Sequence, residues 1–398
     1  MKAADPVFSK AELTQIFAAL KDVPRFAIAV SGGGDSLALM RLALEWRSGP
    51  GGIIALTVDH ALRPGSAAEA ARVSQWCQAL GIEHHTLHWQ HEKLNTGLQA
   101  KARVGRYDLL SAWCQQHKIP ALLTAHTVED QAETVAMRQN RTTSPRSLAG
   151  IWPETDWNGV QVLRLLLAQT RAKLRQYLTS INQTWLEDPS NANTAFERVR
   201  VRNAKPSSSL ADIATTSQIA ITTAQNNARM WMAAELTIAA TGMLQFAPQA
   251  LTALDPLAQD EALHHLITMS GGTVPERSRR TALLGWLNSA QSGRRTLGGA
   301  LFSKRKRHIF VTREAARIAA SPQLLHDPLP ILWDKRFSIS GPSGSSVTSM
   351  NTIKHMKRLL EIPAAVWSGL PVVTRGPEVL AYPQGLNHPQ VKIEFIKK

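Results

Sequence analysis

Cysteine is scarce in this chain, which has only two among 398 residues. Cys77 and Cys114 fall within predicted helices, each directly beside a tryptophan, Trp76 and Trp113. Thiols in such apolar positions are typically buried, so we predict two packed, reduced cysteines of a cytosolic protein and no disulfide.

Long apolar runs are also absent. No stretch of about 18 apolar residues occurs, which argues against a membrane-spanning helix. Residues 1–6 contain an acid and a proline and lead into no apolar segment, so we do not expect a signal peptide. With 44% hydrophobic residues and 398 residues in all, the chain is expected to form two or three globular domains rather than one core.

Acidic residues are outnumbered by basic ones, 30 against 45, which leaves a formal net charge of +15 at pH 7. The excess is concentrated at the C-terminal end, where residues 301–398 contain 15 Lys and Arg against 6 Asp and Glu. A basic surface of this kind favours a polyanionic partner such as nucleic acid. The alternative is a basic surface that only keeps the protein in solution.

Two common phosphate-binding motifs are missing from the glycine-rich segment Ser31–Ser36, which reads Ser-Gly-Gly-Gly-Asp-Ser. No Gly-Lys-Ser/Thr follows it, and the Gly-x-Gly-x-x-Gly spacing is absent. The segment nevertheless follows the apolar run Phe26–Val30 and precedes a helix predicted from about Leu37. Glycines tolerate positive φ, and backbone N–H groups at a helix start attract anions, so this layout predicts a phosphate-binding loop. The alternative is a Gly-Ser turn that binds nothing.

Strand and helix patterns alternate between residues 25 and 150. The predicted strands are Phe26–Val30, Ile53–Val58, His85–Trp89 and Ala121–Ala125. The predicted helices are Leu37–Arg47, Ser66–Leu80 (with a capping box, Ser66-x-x-Glu69), Leu98–His117 and Glu129–Arg138. This alternation predicts an α/β fold with a parallel, doubly wound sheet and ligands at the carboxyl ends of its strands.

The rest of the chain is less regular. Residues 205–209 form a polar, breaker-rich linker, so we predict an α/β domain over 1–205, a helical domain over 206–290 and a small basic α+β domain over 291–398. Helices are predicted at about Ser217 to Thr241 and Gln259–Met269. Two strands, Thr296–Phe302 and His308–Val311, flank Lys304–Arg307, which is interpreted as a charged hairpin turn or a contact to RNA phosphate.

Three further motifs lie at strand ends or on the following helices. Asp59–Ser66 follows the second predicted strand. In the helical segment Gln99–Tyr107, two arginines three residues apart share one face, and in Ala125–Thr134 two carboxylates do the same. These pairs are Arg103 with Arg106, and Asp130 with Glu133.

Together, the glycine-rich loop and these motifs resemble the tRNA(Ile)-lysidine synthetase family of PP-loop ATP pyrophosphatases. The match is strong over about residues 20–203 and thin beyond, where Thr296–Gly299 and Arg313-Glu314 are similar. The resemblance implies that ATP adenylates the wobble cytosine O2 with release of pyrophosphate. The amino group of free lysine then attacks C2 and expels AMP.

The resemblance also implies roles for individual residues. ATP would be bound by Ser31, Gly32, Gly33, Gly34, Asp35 and Ser36. Asp35 and Asp130 are expected to hold Mg²⁺, and Glu133 to bind the ammonium of lysine or accept its proton. His126 is expected near the entering base, and the substrate-binding arginines are Arg103, Arg106, Arg198 and Arg202. The alternative roles are helix capping for the carboxylates and solvent exposure for the arginines.

The chain departs from the family pattern at two places. Glu129 and Thr127 stand where the family usually has Asp and His. Arg141-Thr142-Thr143-Ser144 replaces Arg-Gly-Ser-Gly, and Arg146-Ser147-Leu148 replaces Gly-Leu. Threonine resists positive φ, so we expect either a restructured loop or altered substrate positioning and rate.

Several other functions remain as alternatives. A tRNA thiolase would need reactive cysteines, and a glutamine-dependent amidotransferase would need an ammonia-generating domain. An ATP-dependent ligase of small molecules would not need the basic C-terminal quarter, and a non-catalytic tRNA-binding relative would not need an intact loop. The expected partners are tRNA(Ile) with a CAU anticodon and free L-lysine, with a homodimer possible.

Overall fold

The structure is a computed structural model that describes residues 6–60, 65–90, 98–139, 141–187, 197–204, 206–319, 321–327, 329–353 and 363–396. The chain divides into two compact units, residues 1–219 and 220–398. The division into three domains with boundaries at 205 and 290 stays a prediction. Among the described residues, no helix has both the length and the apolar character needed to cross a membrane.

The first unit is an α/β structure. Its strands are β1 (Phe26–Ala29), β2 (Ile53–Asp59), β3 (Glu83–His88), β4 (Ala121–Leu123), β5 (Glu154–Trp157) and β6 (Val160–Leu163). Its helices are α1 (Lys10–Ile16), α2 (Gly34–Arg47), α3 (Ser66–Ala79), α4 (Leu98–Gln116), α5 (Val128–Gln139), α6 (Pro145–Leu148), α7 (Arg171–Ser180) and α8 (Glu197–Asn203).

The six strands form one sheet in the order β3-β2-β1-β4-β6-β5. Every neighbouring pair is parallel except β5 with β6, which places one antiparallel strand at the edge. The predicted parallel sheet is confirmed, and each of its four predicted strands is present with ends shifted by up to two residues. Because the strand order reverses between β1 and β4, their carboxyl ends flank the crevice where ligands of such folds bind.

Alternating side chains of β1 pack against two different helical layers. Phe26 and Ile28 belong to a core with α1, α2, α3 and α7, whereas Ala27 belongs to a core with α4. Each cysteine lies fully buried in one of these cores, Cys77 in the first and Cys114 in the second, and both are free thiols. The predicted packed cysteines are therefore confirmed.

The start of α3 corrects one local prediction. The N-cap is Gly65, with a left-handed φ of 98°, and Ser66 is already the first helical residue. The Ser66 hydroxyl makes no capping bond there, so the predicted capping box with Glu69 is wrong. Glycine reaches this conformation without a steric cost, which moves the cap one residue earlier than the motif indicates.

In the part that the structure describes, the second unit combines helices with three antiparallel sheets. Its helices are α9 (Ser209–Glu235, which contains the boundary between the units), α10 (Pro248–Thr252), α11 (Pro256–Met269), α12 (Arg277–Asn288) and α13 (Ala364–Trp367). Its strands are β7 (Thr237–Ile238), β8 (Leu244–Phe246), β9 (Gly293–Leu297), β10 (Ala300–Lys304), β11 (Ile309–Arg313), β12 (Gln323–Leu324), β13 (Ile331–Trp333), β14 (Phe337–Ser340), β15 (Ser346–Ser349), β16 (Pro371–Arg375), β17 (Glu378–Ala381) and β18 (Lys392–Phe395).

The segment predicted as one strand over Thr296–Phe302 is a hairpin. Gly298 and Gly299 have φ of 63° and 87° and join β9 to β10 as a two-residue turn. Two successive positive φ values match the twist of a tight hairpin, and glycine is the residue that supplies them most readily. A side chain at Gly298 is excluded as well, because its Cβ would lie 2.3 Å from the carbonyl oxygen of Thr273.

Lys304, predicted within a charged turn, is instead buried at the end of β10. Its ammonium donates to the carbonyl oxygens of Leu287, at 2.7 Å, and of Ser289, at the C-terminal end of α12. A cation at that position satisfies carbonyls that have no partner within the helix and interacts favourably with the helix dipole. Burial lowers the pKa of Lys304. Lys304 is therefore a structural residue, while the next three, Arg305 to Arg307, are exposed.

Replacing Lys304 by methionine should destabilise the second unit. The carbonyls at the end of α12 lose a charged donor, which costs about 1.5–3 kcal/mol and lowers the melting temperature by several degrees. Differential scanning calorimetry measures the change. Lys306→Met, at an exposed position in the turn after β10, is the matched control and should melt like the wild type. Equal melting of both variants would contradict the capping role.

Candidate active site

The glycine-rich loop connects β1 to α2 at the carboxyl edge of the sheet. The Ser36 hydroxyl accepts from the backbone N–H of Ser31 at 3.2 Å and donates to the carbonyl of Gly33 at 2.9 Å. Gly33 is the N-cap of α2 and has no side chain to occupy the first N–H groups of the helix. The first backbone N–H groups of α2 can therefore donate to a ligand, as in anion-binding sites at the start of a helix.

Backbone conformation and close packing both favour glycine at position 32. Its φ of 86° lies in the left-handed region, and a Cβ there would lie 2.6 Å from Cδ1 of Leu186. Its carbonyl oxygen also accepts from the backbone N–H of Leu186 at 2.9 Å. By contrast, a Cβ at Gly34 would make ordinary contacts at 3.6 Å with Trp185. The loop conformation therefore depends most strongly on glycine at position 32.

The carboxylates of α5 face a single guanidinium from α7. Arg171 donates from Nη2 to Oδ1 of Asp130 at 2.7 Å and from Nη1 to Oε1 of Glu133 at 2.9 Å. Its Nε lies 3.4 Å from Oδ2 of Asp35 in the first turn of α2. Arg171 thus connects the phosphate-binding loop to the α5 carboxylates. No role for Arg171 is predicted from the sequence, because nothing in its local sequence indicates that it reaches these acids.

Two arginines of α8 complete this cluster. Arg198 donates to Oδ1 of Asp130 at 2.7 Å and to Oε2 of Glu133 at 2.9 Å. Arg202 donates from Nε to Oε1 of Glu133 at 2.8 Å. The Glu133 side chain is 1% exposed, so its charge depends on these partners rather than on water.

The ion pairs decide the protonation of the α5 carboxylates. Burial acts to raise the pKa of Asp130 and of Glu133, but the surrounding guanidinium groups outweigh burial and hold both values below normal. Burial likewise opposes the charge of Arg171, and its carboxylate partners outweigh burial and raise its pKa. Both carboxylates are therefore anionic at neutral pH.

Asp35 is the carboxylate best suited to a cation. Its side chain is 28% exposed, and among the described residues Arg171 is the only side chain that pairs with it, at a long 3.4 Å. Burial raises the pKa of Asp35. In the part of the chain that is described, no group of three or more His, Cys, Asp or Glu could hold a metal by itself. A single carboxylate still fits Mg²⁺, which proteins usually bind through one or two carboxylates and substrate phosphates.

The two unusual residues at the start of α5 have structural roles. Thr127, fully buried, donates from its backbone N–H and hydroxyl to Oδ2 of Asp130 at 2.9 and 3.1 Å. Both carboxylate oxygens of Glu129 accept from the backbone N–H of Arg171 at 3.1 Å. These contacts orient Asp130 and the start of α7, so both substitutions are accommodated.

His126 lies buried between β4 and α5. Its Nδ1 is 3.3 Å from the hydroxyl of Thr124. Burial lowers the pKa of His126 to about 3, although the charge of Asp130 opposes this shift. The imidazole is therefore neutral at physiological pH.

The arginines of α4 flank a buried aromatic ring. The guanidinium carbons of Arg103 and Arg106 lie 5.2 and 5.7 Å from the ring centre of Tyr107, which is 1% exposed. Burial lowers the pKa of Arg106, and the charge of Arg198 adds to this shift. The charges of Arg103 and Arg198 also act on His126. Both α4 arginines are thus within electrostatic reach of the carboxylate cluster.

The altered loop after α5 adopts ordinary backbone angles. None of the residues Arg141–Ser144 has a positive φ. The Thr142 hydroxyl accepts from the backbone N–H of Ser144 at 3.1 Å, and Pro145 begins the short helix α6. Threonine tolerates these backbone angles, and a restructuring of this loop relative to the family pattern stays a prediction.

The chain is similar in sequence to a known protein family and to several of its members. A family model described as a PP-loop domain matches residues 7–205. A tRNA(Ile)-lysidine synthase of Ruegeria pomeroyi is 36% identical over 80% of this chain and 77% of its own length. Another from Mesorhizobium japonicum is 33% identical over 94% of this chain and 87% of its own, and one from a Bradyrhizobium species is 34% identical over 79% and 95%.

Replacing Gly32 by alanine should weaken ATP binding. The side chain would be strained at φ of 86° and would collide with Leu186, at a cost of about 1–3 kcal/mol. Isothermal titration with ATP measures the loss, expected to be tenfold or more. Gly51→Ala is the matched control, because its Cβ meets nothing within 4 Å. Equal ATP affinity in the two variants would contradict this role of the loop.

The buried His126 should make stability depend on pH. Its folded pKa of about 3 lies below the unfolded value of about 6.5, so its contribution is complete above pH 6.5 and is lost as the pH falls. Between pH 6.5 and 5 the wild type should lose about 2 kcal/mol more than His126→Gln, a few degrees in melting temperature. His326→Gln, at an exposed histidine, should follow the wild type. Parallel pH profiles for all three proteins would refute the assignment.

Proposed function

The chain belongs to the tRNA(Ile)-lysidine synthase family of PP-loop enzymes, and we propose residue roles by which it uses ATP to form lysidine on tRNA. The proposal is supported chiefly by a set of contacts at the carboxyl edge of the sheet in the first unit. There, Arg171 touches both Asp35, beside the phosphate-binding loop, and the carboxylates of α5. An ATP-binding loop and a charged substrate site therefore share a single network.

We propose that the loop holds the phosphates of ATP. The N–H groups at the start of α2 stabilise the negative charge that develops as pyrophosphate leaves. Asp35 is the residue that would hold Mg²⁺, with Asp130 as the second carboxylate near it. When bound, Mg²⁺ neutralises the phosphate oxygens and so makes pyrophosphate a better leaving group.

Glu133 is proposed to bind the amino group of free lysine. Its anionic carboxylate can hold the ammonium and can accept a proton before the amine attacks C2 of the adenylated cytidine. Three guanidinium groups already contact Glu133, so lysine must displace at least one of them. The neutral His126 and the α4 arginines, Arg103 and Arg106, are proposed to position the cytidine and its phosphates.

The second unit is proposed to bind tRNA through its basic surface. Residues 305–307, at the turn between β10 and β11, present three exposed cations. Such side chains neutralise backbone phosphates without reading sequence. The substrate is proposed to be tRNA(Ile) with a CAU anticodon. The reaction is proposed to take place in the cytoplasm, and the protein is proposed to form a homodimer.

The buried cysteines count against the thiolase alternative. Burial raises the pKa of Cys77 to about 11 and that of Cys114 to about 12. Both thiols therefore stay protonated at neutral pH, whereas sulfur transfer needs an accessible thiolate. The relatives' names and the intact loop likewise favour catalysis over tRNA binding alone.

Asp35→Asn and Glu133→Gln should separate the two steps. Radiolabelled lysine incorporation into an unmodified tRNA(Ile) transcript with a CAU anticodon measures the whole reaction, and pyrophosphate release without lysine measures adenylation. Loss of metal binding in Asp35→Asn should reduce both signals at least 100-fold. Loss of the lysine partner in Glu133→Gln should reduce incorporation by a similar factor and adenylation much less.

Asp22→Asn, at an exposed carboxylate, is the matched control and should behave like the wild type. Thermal melting of each variant separates unfolding from lost chemistry. If wild type bound the transcript without incorporating lysine, the chain would be a tRNA-binding relative. If Glu133→Gln reduced both steps equally, Glu133 would not be specific to lysine.

A further inference from the structure

A cavity of about 400 Å³ lies beside the C-terminal end of α5, apart from the carboxylate cluster. The described residues that line it are Arg138, Arg141, Thr142, Arg146 and Ser147. Three of these five are arginines, and none is a carboxylate. Like charges around one concave surface repel each other and concentrate counter-ions. The lining therefore favours an anionic ligand.

Local structure holds these arginines close together. Arg138 donates from Nη1 to the carbonyl oxygens of Ser147 at 3.0 Å and Gly150 at 3.3 Å, which connects α5 to α6 and to the segment that follows α6. Carbonyl groups satisfy hydrogen bonds without cancelling the charge of a guanidinium. Arg146 is placed by α6, which begins at Pro145. The positive charge of the cavity is thus built into the fold.

Arg141 has a partner that an anion could replace. Its Nη2 lies 2.9 Å from Oε1 of Glu197 at the start of α8, and the two side chains are 72% and 43% exposed. Exposed ion pairs contribute little to stability, so exchanging this partner is inexpensive. A phosphate offers a guanidinium two oxygens in a matching geometry and is the stronger acceptor.

We propose that this cavity binds a backbone phosphate of the RNA substrate, with Arg141 exchanging Glu197 for the phosphate. Arg146 and Arg138 supply further charge, and the hydroxyls of Thr142 and Ser147 are available as donors. The inference rests on the proposed function, since it takes tRNA as the ligand. Arg141 matches the arginine of the family pattern, whereas Thr142 and Arg146 stand where the sequence departs from it, so the contributions of Thr142 and Arg146 are features of the present chain.

The test measures tRNA affinity against salt concentration for Arg141→Gln and Arg146→Gln in the full-length protein. Each variant should bind the transcript on the order of fivefold more weakly and lower the magnitude of the salt slope by about one. Arg25→Gln is the matched control. Arg25 forms a comparable exposed pair with Glu83 at 3.1 Å, and it precedes β1 at the opposite edge of the sheet.

Glu197→Gln supplies a test of opposite sign. Freeing Arg141 from its competitor should tighten tRNA binding, by up to about fivefold. Unchanged affinity and slope in both arginine variants would overturn the proposal. A raised KM for ATP with an unchanged tRNA slope would also overturn it, because the anion would then be the nucleotide. Lysine incorporation is measured in a separate assay. If the wild type bound tRNA without forming lysidine, the proposed activity would be refuted. The salt dependence of tRNA binding by the arginine variants would still test whether the cavity binds a phosphate.

Discussion

The arrangement of helices in the first unit depends mainly on the need to pair two buried carboxylates on one turn of α5. Asp130 and Glu133 carry charge where little water reaches them, and such charges persist only when they are paired and hydrogen-bonded. The partners come from two later segments, Arg171 on α7 and the two arginines of α8. Removing one partner of such a network typically costs about 3–5 kcal/mol, so the positions of α7 and α8 against α5 depend on it.

The same network connects chemistry that is separated along the chain. Arg171 reaches Asp35 as well as the α5 carboxylates, and the loop before Asp35 depends on Gly32. Because β1 and β4 are neighbours in the sheet, the loops that follow them open at one edge. A change at either loop therefore affects the same ion-pair network of Asp35, Arg171 and the α5 carboxylates. Such a network fits a reaction in which the nucleotide and the amine react at one site.

Sequence patterns predicted the parallel sheet well because each strand and helix there is marked by its own periodicity and by the glycines between them. The helix predicted at about Ser217 to Thr241 instead spans Ser209–Glu235, with β7 inside its predicted range. Three other local predictions failed for identifiable reasons. Gly298 and Gly299 divide a continuous apolar pattern into a hairpin, and Gly65 replaces Ser66 as the cap. Lys304 has the sequence context of a surface turn, yet it is buried against α12, a contact between segments that no local pattern encodes.

The sequence by itself determined the glycine-rich loop, the order of strands and helices and the candidate carboxylates and arginines, because these depend on residue type and short-range spacing. Only the tertiary structure decided which of them meet. Arg171, Arg198 and Arg202 lie 38, 65 and 69 residues from Glu133 along the chain, a separation that no local sequence pattern reveals. Their charges decide the protonation of Asp130 and Glu133. Long-range ion pairing needs the folded chain, since it is the sheet and its helices that bring these groups within hydrogen-bond distance.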